Sequence, residues 1–159
     1  MLFHSTRGND SGKDFATILM QGLAADGGLF MPDHWPQVDL EEIKSKTSFV
    51  DVAKCIVPLF TASSFSEDET IKIIEDTWHD FEHQDLIGIK TFNNISILEL
   101  FHGPTAAFKD FGLQLAAAFF NQVLESENKT AIVLGATSGD TGPAAIDACK
   151  GFARIKSFI

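Results

Sequence analysis

Over the first ninety residues the apolar positions mostly recur at helical spacing. Phe15, Ile18, Leu19 and Leu23 share one side of a stretch over 14–24, which Asp26-Gly27-Gly28 brings to a stop. Leu29-Phe30-Met31-Pro32 follows as an extended segment. Ser48-x-x-Asp51 starts a second helix, with Phe49, Val52, Ala53, Ile56, Val57 and Phe60 on one face. Ser66-x-x-Glu69 has the form of a capping box, and behind it Ile71, Ile74, Trp78 and Phe81 form an inward stripe. Glu67, Asp68 and Glu69 fall in the first turn, where the helix dipole favours negative charge. Glu75, Asp76, Asp80 and Glu82 read as a solvated face.

From residue 91 the pattern becomes alternating. Ile95-Ser96-Ile97-Leu98-Glu99-Leu100 predicts a strand, 111–124 a helix with apolar residues on more than one side, and Thr130-Ala131-Ile132-Val133-Leu134-Gly135 a strand apolar throughout, as buried parallel strands are. The span 143–150 predicts a helix with Pro143 near its start and Gly151 just past its end, and 155–159 begins another strand. Strand–helix–strand–helix–strand implies an α/β fold with a parallel sheet and right-handed crossovers. The expected division is a helical domain over 1–90 and the opening βαβαβ of a larger α/β domain over 91–159. The chain stops within a strand of that kind, so it is expected to be a piece of a longer protein.

Charge sharpens this division. Residues 1–90 carry 16 acids and 7 bases, whereas 91–159 carry 6 acids and 5 bases, so nearly all of the net charge of −10 belongs to the first part. An acidic chain of 159 residues with 45% hydrophobic content is of ordinary globular composition, and is not expected to bind nucleic acid or a membrane surface. The N-terminus lacks the apolar run of a signal peptide, and no apolar run approaches a membrane span, which makes the cytoplasm the expected compartment. Cys55 and Cys149 lie far apart and fit two reduced thiols. With 15 Phe and no Tyr, no catalytic phenol is available on this chain. His79 and His83 stand four apart, but no third ligand supports a metal site, and none is expected.

In parallel sheets, ligands collect at the carboxyl ends of strands. Two segments leave those ends. The first, Phe101-His102-Gly103-Pro104-Thr105-Ala106-Ala107-Phe108-Lys109-Asp110, puts Lys109 at a helix start between Phe108 and Phe111. A helix N-terminus and desolvating aromatics both disfavour an ammonium, which suits an amine that must attack a carbonyl. Asp110 opposes this unless its carboxylate turns to the backbone N–H groups of the first turn. A surface lysine lying along two phenylalanines gives the same pattern. The second, Gly135-Ala136-Thr137-Ser138-Gly139-Asp140-Thr141-Gly142, has the small residues and hydroxyls that bind a carboxylate or phosphate, or that make a tight turn. It is neither a Walker A loop, nor GxGxxG, nor GxSxG. His102 fits a functional or a structural hydrogen-bonding role equally well.

Together the two segments resemble threonine synthase, a pyridoxal-phosphate enzyme family of the tryptophan-synthase-β-like fold (fold type II). Ser5-Thr6-Arg7-Gly8-Asn9 and Gln21-Gly22-Leu23-Ala24-Ala25-Asp26-Gly27-Gly28-Leu29-Phe30-Met31-Pro32 resemble its N-terminal domain, so the likeness covers nearly the whole chain. The resemblance implies a carbon–oxygen lyase that converts O-phospho-L-homoserine and water to L-threonine and phosphate, the last step of threonine biosynthesis. It implies pyridoxal 5'-phosphate as cofactor, Lys109 as the Schiff-base lysine and proton shuttle, and Phe108 and Asp140 as further cofactor contacts. Thr137, Ser138, Gly139, Thr141 and His102 are implied as substrate contacts. Asp140 stands where cysteine-synthase-like relatives carry Asn, so the hydrogen bonding at the ring hydroxyl cannot be copied from them. The family's cofactor-phosphate loop lies beyond residue 159, so the chain is expected to be inactive alone. Threonine dehydratase, cysteine synthase and a non-catalytic threonine-synthase-like binding protein are the alternatives. The oligomeric state, monomer or dimer, is not legible.

Overall fold

The computed structural model describes residues 1–82 and 85–159. The chain divides into two compact units, Met1–Ile74 and Glu75–Ile159, a division that falls before the change of sequence texture near residue 90.

The first unit is not helical throughout. Strands β1 (Phe3–Ser5), β2 (Ser11–Lys13) and β3 (Phe30–Pro32) form a small antiparallel sheet in the order β2-β1-β3. In it Phe3 pairs with Pro32 and Ser5 with Phe30. Asp26 is the hub behind this sheet. Its carboxylate accepts from the Ser5 hydroxyl at 2.6 Å and from the N–H groups of Gly28 and Asn9 at 2.9 and 3.0 Å. These donors, the Ser5 hydroxyl foremost, hold its carboxyl below the usual carboxylate range, against the effect of burial. Gly27 takes φ +78°, a conformation that glycine adopts without steric cost.

Four helices accompany the sheet: α1 (Phe15–Gln21), α2 (Leu40–Ser45), α3 (Phe49–Thr61) and α4 (Glu67–Asp76), the last reaching across the division. Side-chain caps start three of the helices. Asp14 accepts from Thr17 N–H, Asp39 from Glu41 N–H, and Ser48 from Asp51 N–H. At α4 the predicted capping box is present: Ser66 N–H donates to Glu69 Oε2 at 2.8 Å, and Glu69 N–H returns to Ser66 Oγ at 3.3 Å. Helix α1 ends at Gln21, where Gly22 turns at φ +74°, so Leu23 lies outside it. A buried hydroxyl pair, Thr61 and Thr70 at 2.9 Å, ties α3 to α4.

In the second unit the strand predicted at 95–100 has a different partner from the one expected. β4 (Gly88–Phe92) and β5 (Ile95–Glu99) form an antiparallel hairpin, with Phe92 opposite Ile95. The two-residue turn Asn93-Asn94 closes it, and Asn93 at φ +54° takes a left-handed conformation that Asn tolerates. Then follow α5 (Lys109–Ser126), β6 (Ala131–Leu134), α6 (Thr141–Cys149) and β7 (Ile155–Phe158). β6 and β7 pair in parallel, with Ala131 opposite Ile155 and Leu134 opposite Phe158, so β6-α6-β7 is the expected βαβ unit. Its core includes Phe119, Val123 and Leu124 of α5 and the small residues Ala144 and Ala148 of α6. The other face of β6 is open: Leu134 is 81% exposed and Ile132 is exposed beside it. Trp78, at φ +64° and buried, donates from its indole N–H to the carbonyl of Phe111 at 3.0 Å.

The acids Glu75, Asp76, Asp80 and Glu82 are all exposed, as their spacing predicts. Among the described residues no helix is long and apolar enough to cross a membrane.

Candidate active site

Both chemistry-bearing segments end at helix N-termini, at the same end of the βαβ unit. The four-residue link after Ser126 feeds β6, so α5 runs back along β6, and α6 returns from the carboxyl end of β6. The Gln114 amide, five residues into its numbering from Lys109, donates to Asp147, six beyond Thr141, at 3.3 Å. The two helices therefore lie side by side with their starts aligned. Each N-terminus leaves backbone N–H groups and partial positive charge, which favour anions.

Lys109 opens α5 and is partly exposed. Its Nζ stands 4.6 Å from the centroid of the Phe108 ring, a cation–π contact. Phe108 is itself exposed, and Phe111 turns away to pack edge-on against Phe81 at 4.9 Å between ring centroids. The expected desolvation of Lys109 between two aromatics is thus not found in this unit. One ring lies under the ammonium and the other belongs to a different cluster. Asp110, in contrast, is turned inward and wholly buried. Its Oδ2 accepts the Thr105 backbone N–H at 2.9 Å and its Oδ1 the Thr105 hydroxyl at 2.5 Å.

The second segment is a loop from β6 to the start of α6. The Thr137 hydroxyl accepts from Gly142 N–H at 3.0 Å and donates to the Gly139 carbonyl at 3.3 Å, closing the loop on itself. Gly142 allows this approach, because a Cβ there would meet Thr137 Oγ1 at 2.7 Å. Ser138, Gly139, Asp140 and Thr141 are exposed. Asp140 is the residue just before α6, with helical φ and no capping bond from its side chain. Among the described residues no heavy atom beyond its chain neighbours lies within 4 Å of where a Cβ on Gly139 would stand, so this side of the loop is open.

His102 belongs to a separate hydrogen-bonded chain. Its Nε2 is 3.3 Å from Glu99 Oε2, and Lys90 Nζ is 2.6 Å from Glu99 Oε1. The hydrogen bond from Lys90 holds the Glu99 carboxyl below its ordinary value, with burial opposing and His102 assisting. The Phe101 ring lies beside His102, 4.7 Å between centroids. His83, half of the spaced histidine pair, lies outside the described residues; among those described, no three His, Cys, Asp or Glu side chains are grouped to hold a metal.

Sequence reasoning did not single out Thr105, Gly103 or Glu99. The only trace of the first is a hydroxyl residue five positions before an acid that itself follows a lysine.

The family model described as the threonine synthase N terminus matches residues 2–78. Threonine synthase from Pseudomonas aeruginosa is 40% identical over 162 residues, covering 100% of this chain and 34% of that protein. The crystal structure of pyridoxal-phosphate-bound threonine synthase from Brucella melitensis superposes with a TM-score of 0.94 at 38% identity, over 100% of this chain and 35% of that one. The yeast threonine synthase structure gives a TM-score of 0.90 at 36% identity, over 99% of this chain and 35% of that one. The chain spans about a third of the length of the curated relatives it matches. A likeness this even, running through both units in sequence and in backbone alike, means that the chain belongs to the threonine synthase family.

Proposed function

We propose that this chain supplies the reactive amine and the carboxylate-binding loop of a threonine synthase, which converts O-phospho-L-homoserine and water to L-threonine and phosphate. The observation that carries this reading is the alignment of Lys109 and the loop over 135–142 at the starts of two adjacent helices, in a chain of this family. The residues present fit pyridoxal 5'-phosphate. Lys109 offers a primary amine open to solvent, and the loop beside Gly139 is uncrowded. Lys109, Phe108 and Asp140 are the residues that would hold it. When bound, it supplies an electron sink for carbanion chemistry on the substrate.

Lys109 would carry protons on Nζ between neighbouring substrate carbons. Thr137, Ser138, Gly139 and Thr141 would bind the substrate carboxylate through hydroxyls and the N–H groups at the start of α6, where the helix field favours an anion. Thr137 holds the shape of that loop through its bond to Gly142. His102, steadied by Glu99, is proposed as a further substrate contact. The near-neutral stretch over 91–159 suits an anionic substrate better than the acidic first part. The domain division at residue 90 and a cytoplasmic location belong to the same proposal, as does a small-molecule substrate without nucleic acid or membrane partners. The 159 residues alone are proposed to be inactive, since they span about a third of the relatives' length.

The complete protein, given O-phosphohomoserine, is expected to release phosphate and threonine in equal amounts. Borohydride reduction with pyridoxal phosphate, followed by peptide mapping, is expected to leave the pyridoxyl group on Lys109. An adduct on another lysine, or no threonine formed, overturns the proposal; an intact adduct without threonine points to a different activity in the same fold.

A further inference from the structure

Asp110 is a buried acid for which the proposed reaction has no use. It is 0% exposed, in the first turn of α5, directly after Lys109. A carboxylate removed from water needs donors, and among the described residues Thr105 supplies two of them. Thr105 grips Oδ2 with its backbone N–H at 2.9 Å and Oδ1 with its hydroxyl at 2.5 Å. Charge-assisted bonds of this kind are shorter and stronger than neutral ones, and the helix N-terminus adds a favourable field.

The intervening chain is bent to make this contact possible. Gly103 comes so close to the Asp110 side chain that a Cβ would overlap it. Ala106 takes φ +55°, a left-handed conformation uncommon for a residue with a Cβ, and its N–H donates to the Gly103 carbonyl at 3.0 Å. Strained backbone persists only where its surroundings hold it, and it gathers at functional sites. Here the holding contact and the candidate lysine are adjacent residues.

Resting on the role given to Lys109 above, we infer that Asp110 is a positioning residue: by gripping Thr105 twice it locks residues 103–108 onto the first turn of α5 and so fixes where the Lys109 amine stands. Lys109 follows the locked loop immediately, and its own Nζ lies over the exposed ring of Phe108. Release of the loop would leave the amine at the end of a frayed turn.

Three variants of the complete protein test this. Asp110→Asn keeps the size but turns an NH2 toward one of the two Thr105 donors. Thr105→Val keeps the backbone bond and loses the hydroxyl. Thr105→Ser keeps both donors. The readouts are the rate at which borohydride traps a pyridoxyl group on Lys109, kcat and KM taken separately, and amide hydrogen exchange of residues 103–108 in the cofactor-free protein. Asp110→Asn and Thr105→Val are expected to slow trapping and lower kcat by about tenfold to a hundredfold with a smaller change in KM, because small misplacements of a reacting group carry that penalty. Exchange over 103–108 is expected to quicken in both, while Thr105→Ser stays within about twofold of wild type in every readout.

Wild-type trapping and kcat in a folded Asp110→Asn or Thr105→Val protein overturn the inference, as does a Thr105→Ser variant as impaired as Thr105→Val. If Asp110→Asn does not fold, the Thr105 pair decides alone. A pyridoxyl adduct on another lysine of the wild-type protein overturns the proposed function; an adduct on Lys109 that the variants leave unchanged overturns only the positioning role.

Discussion

Gly103 faces the buried carboxylate of Asp110 so closely that a side chain on the first would occupy the space of the second. Gly103→Ala is therefore expected to lower stability by about 1–3 kcal/mol, the usual cost of forcing a methyl group into a filled site. Urea unfolding of the two proteins checks this, through a lower midpoint at an unchanged slope. Equal midpoints would mean that the loop yields without cost.

Glu99 makes stability depend on acid. Its folded-state pKa is lowered, chiefly by the Lys90 hydrogen bond, so its contribution is fully present above the ordinary glutamate value of about 4.3 and is lost as pH falls through the depressed value. Lys90→Met is expected to lower the melting temperature near neutrality, where this contribution is fully present, and to leave it little changed at the acid end, where the contribution is already lost, so that the acid limb flattens. Melting temperatures across the acid range, wild type against variant, settle the point; parallel curves would remove Lys90 as the cause.

The capping box at α4 allows a coupling measurement. Ser66→Ala is expected to cost about 1 kcal/mol, as the loss of an N-cap hydroxyl usually does. Because the Ser66 hydroxyl also donates to Glu69 Oε2 at 2.6 Å, a bond that either substitution removes, Glu69→Ala in the same background should cost less than it does alone. Additive losses in a double-mutant cycle would show that the two bonds act independently.

In the loop before α6, Thr137→Val removes the oxygen that takes the Gly142 N–H. Loss of one hydrogen bond of about 1 kcal/mol, in a loop proposed to bind the substrate carboxylate, predicts a rise in KM for O-phosphohomoserine of about fivefold to tenfold in the complete protein. Thr137→Ser should keep KM near the wild-type value. A valine variant with unaltered KM would take Thr137 out of the substrate site.

What the sequence made legible was local. Ser48 and Ser66 announce their helices because a cap and its N–H lie three residues apart, and both bonds are present. The parallel pair β6 and β7 was readable from an apolar run and a flanking helix with Pro and Gly at its ends. Strands β1 and β2 were not, since three residues cannot show a period of two. The hairpin of β4 and β5 had a signal in Asn93-Asn94, but the apolar run after it suggested a parallel strand instead. The same contrast holds at the site. Lys109 and the hydroxyl-rich loop stand out by residue type. The Thr105–Asp110 grip does not, because it closes through an alanine at positive φ, and nothing about alanine as a residue type foretells that conformation.

The buried Trp78 has a spectroscopic consequence. The chain has two tryptophans and no tyrosine, so every photon emitted under indole excitation comes from Trp35 or Trp78. Trp35 lies in the first unit, 66% exposed and edge-on to Phe60; Trp78 lies in the second, 3% exposed with its indole N–H bonded to Phe111. Trp35 should emit at long wavelength and be quenched readily by acrylamide, and Trp78 should emit further to the blue and resist quenching. These 159 residues thus carry one optical reporter in each unit, and a single titration with denaturant can follow the opening of the two units separately.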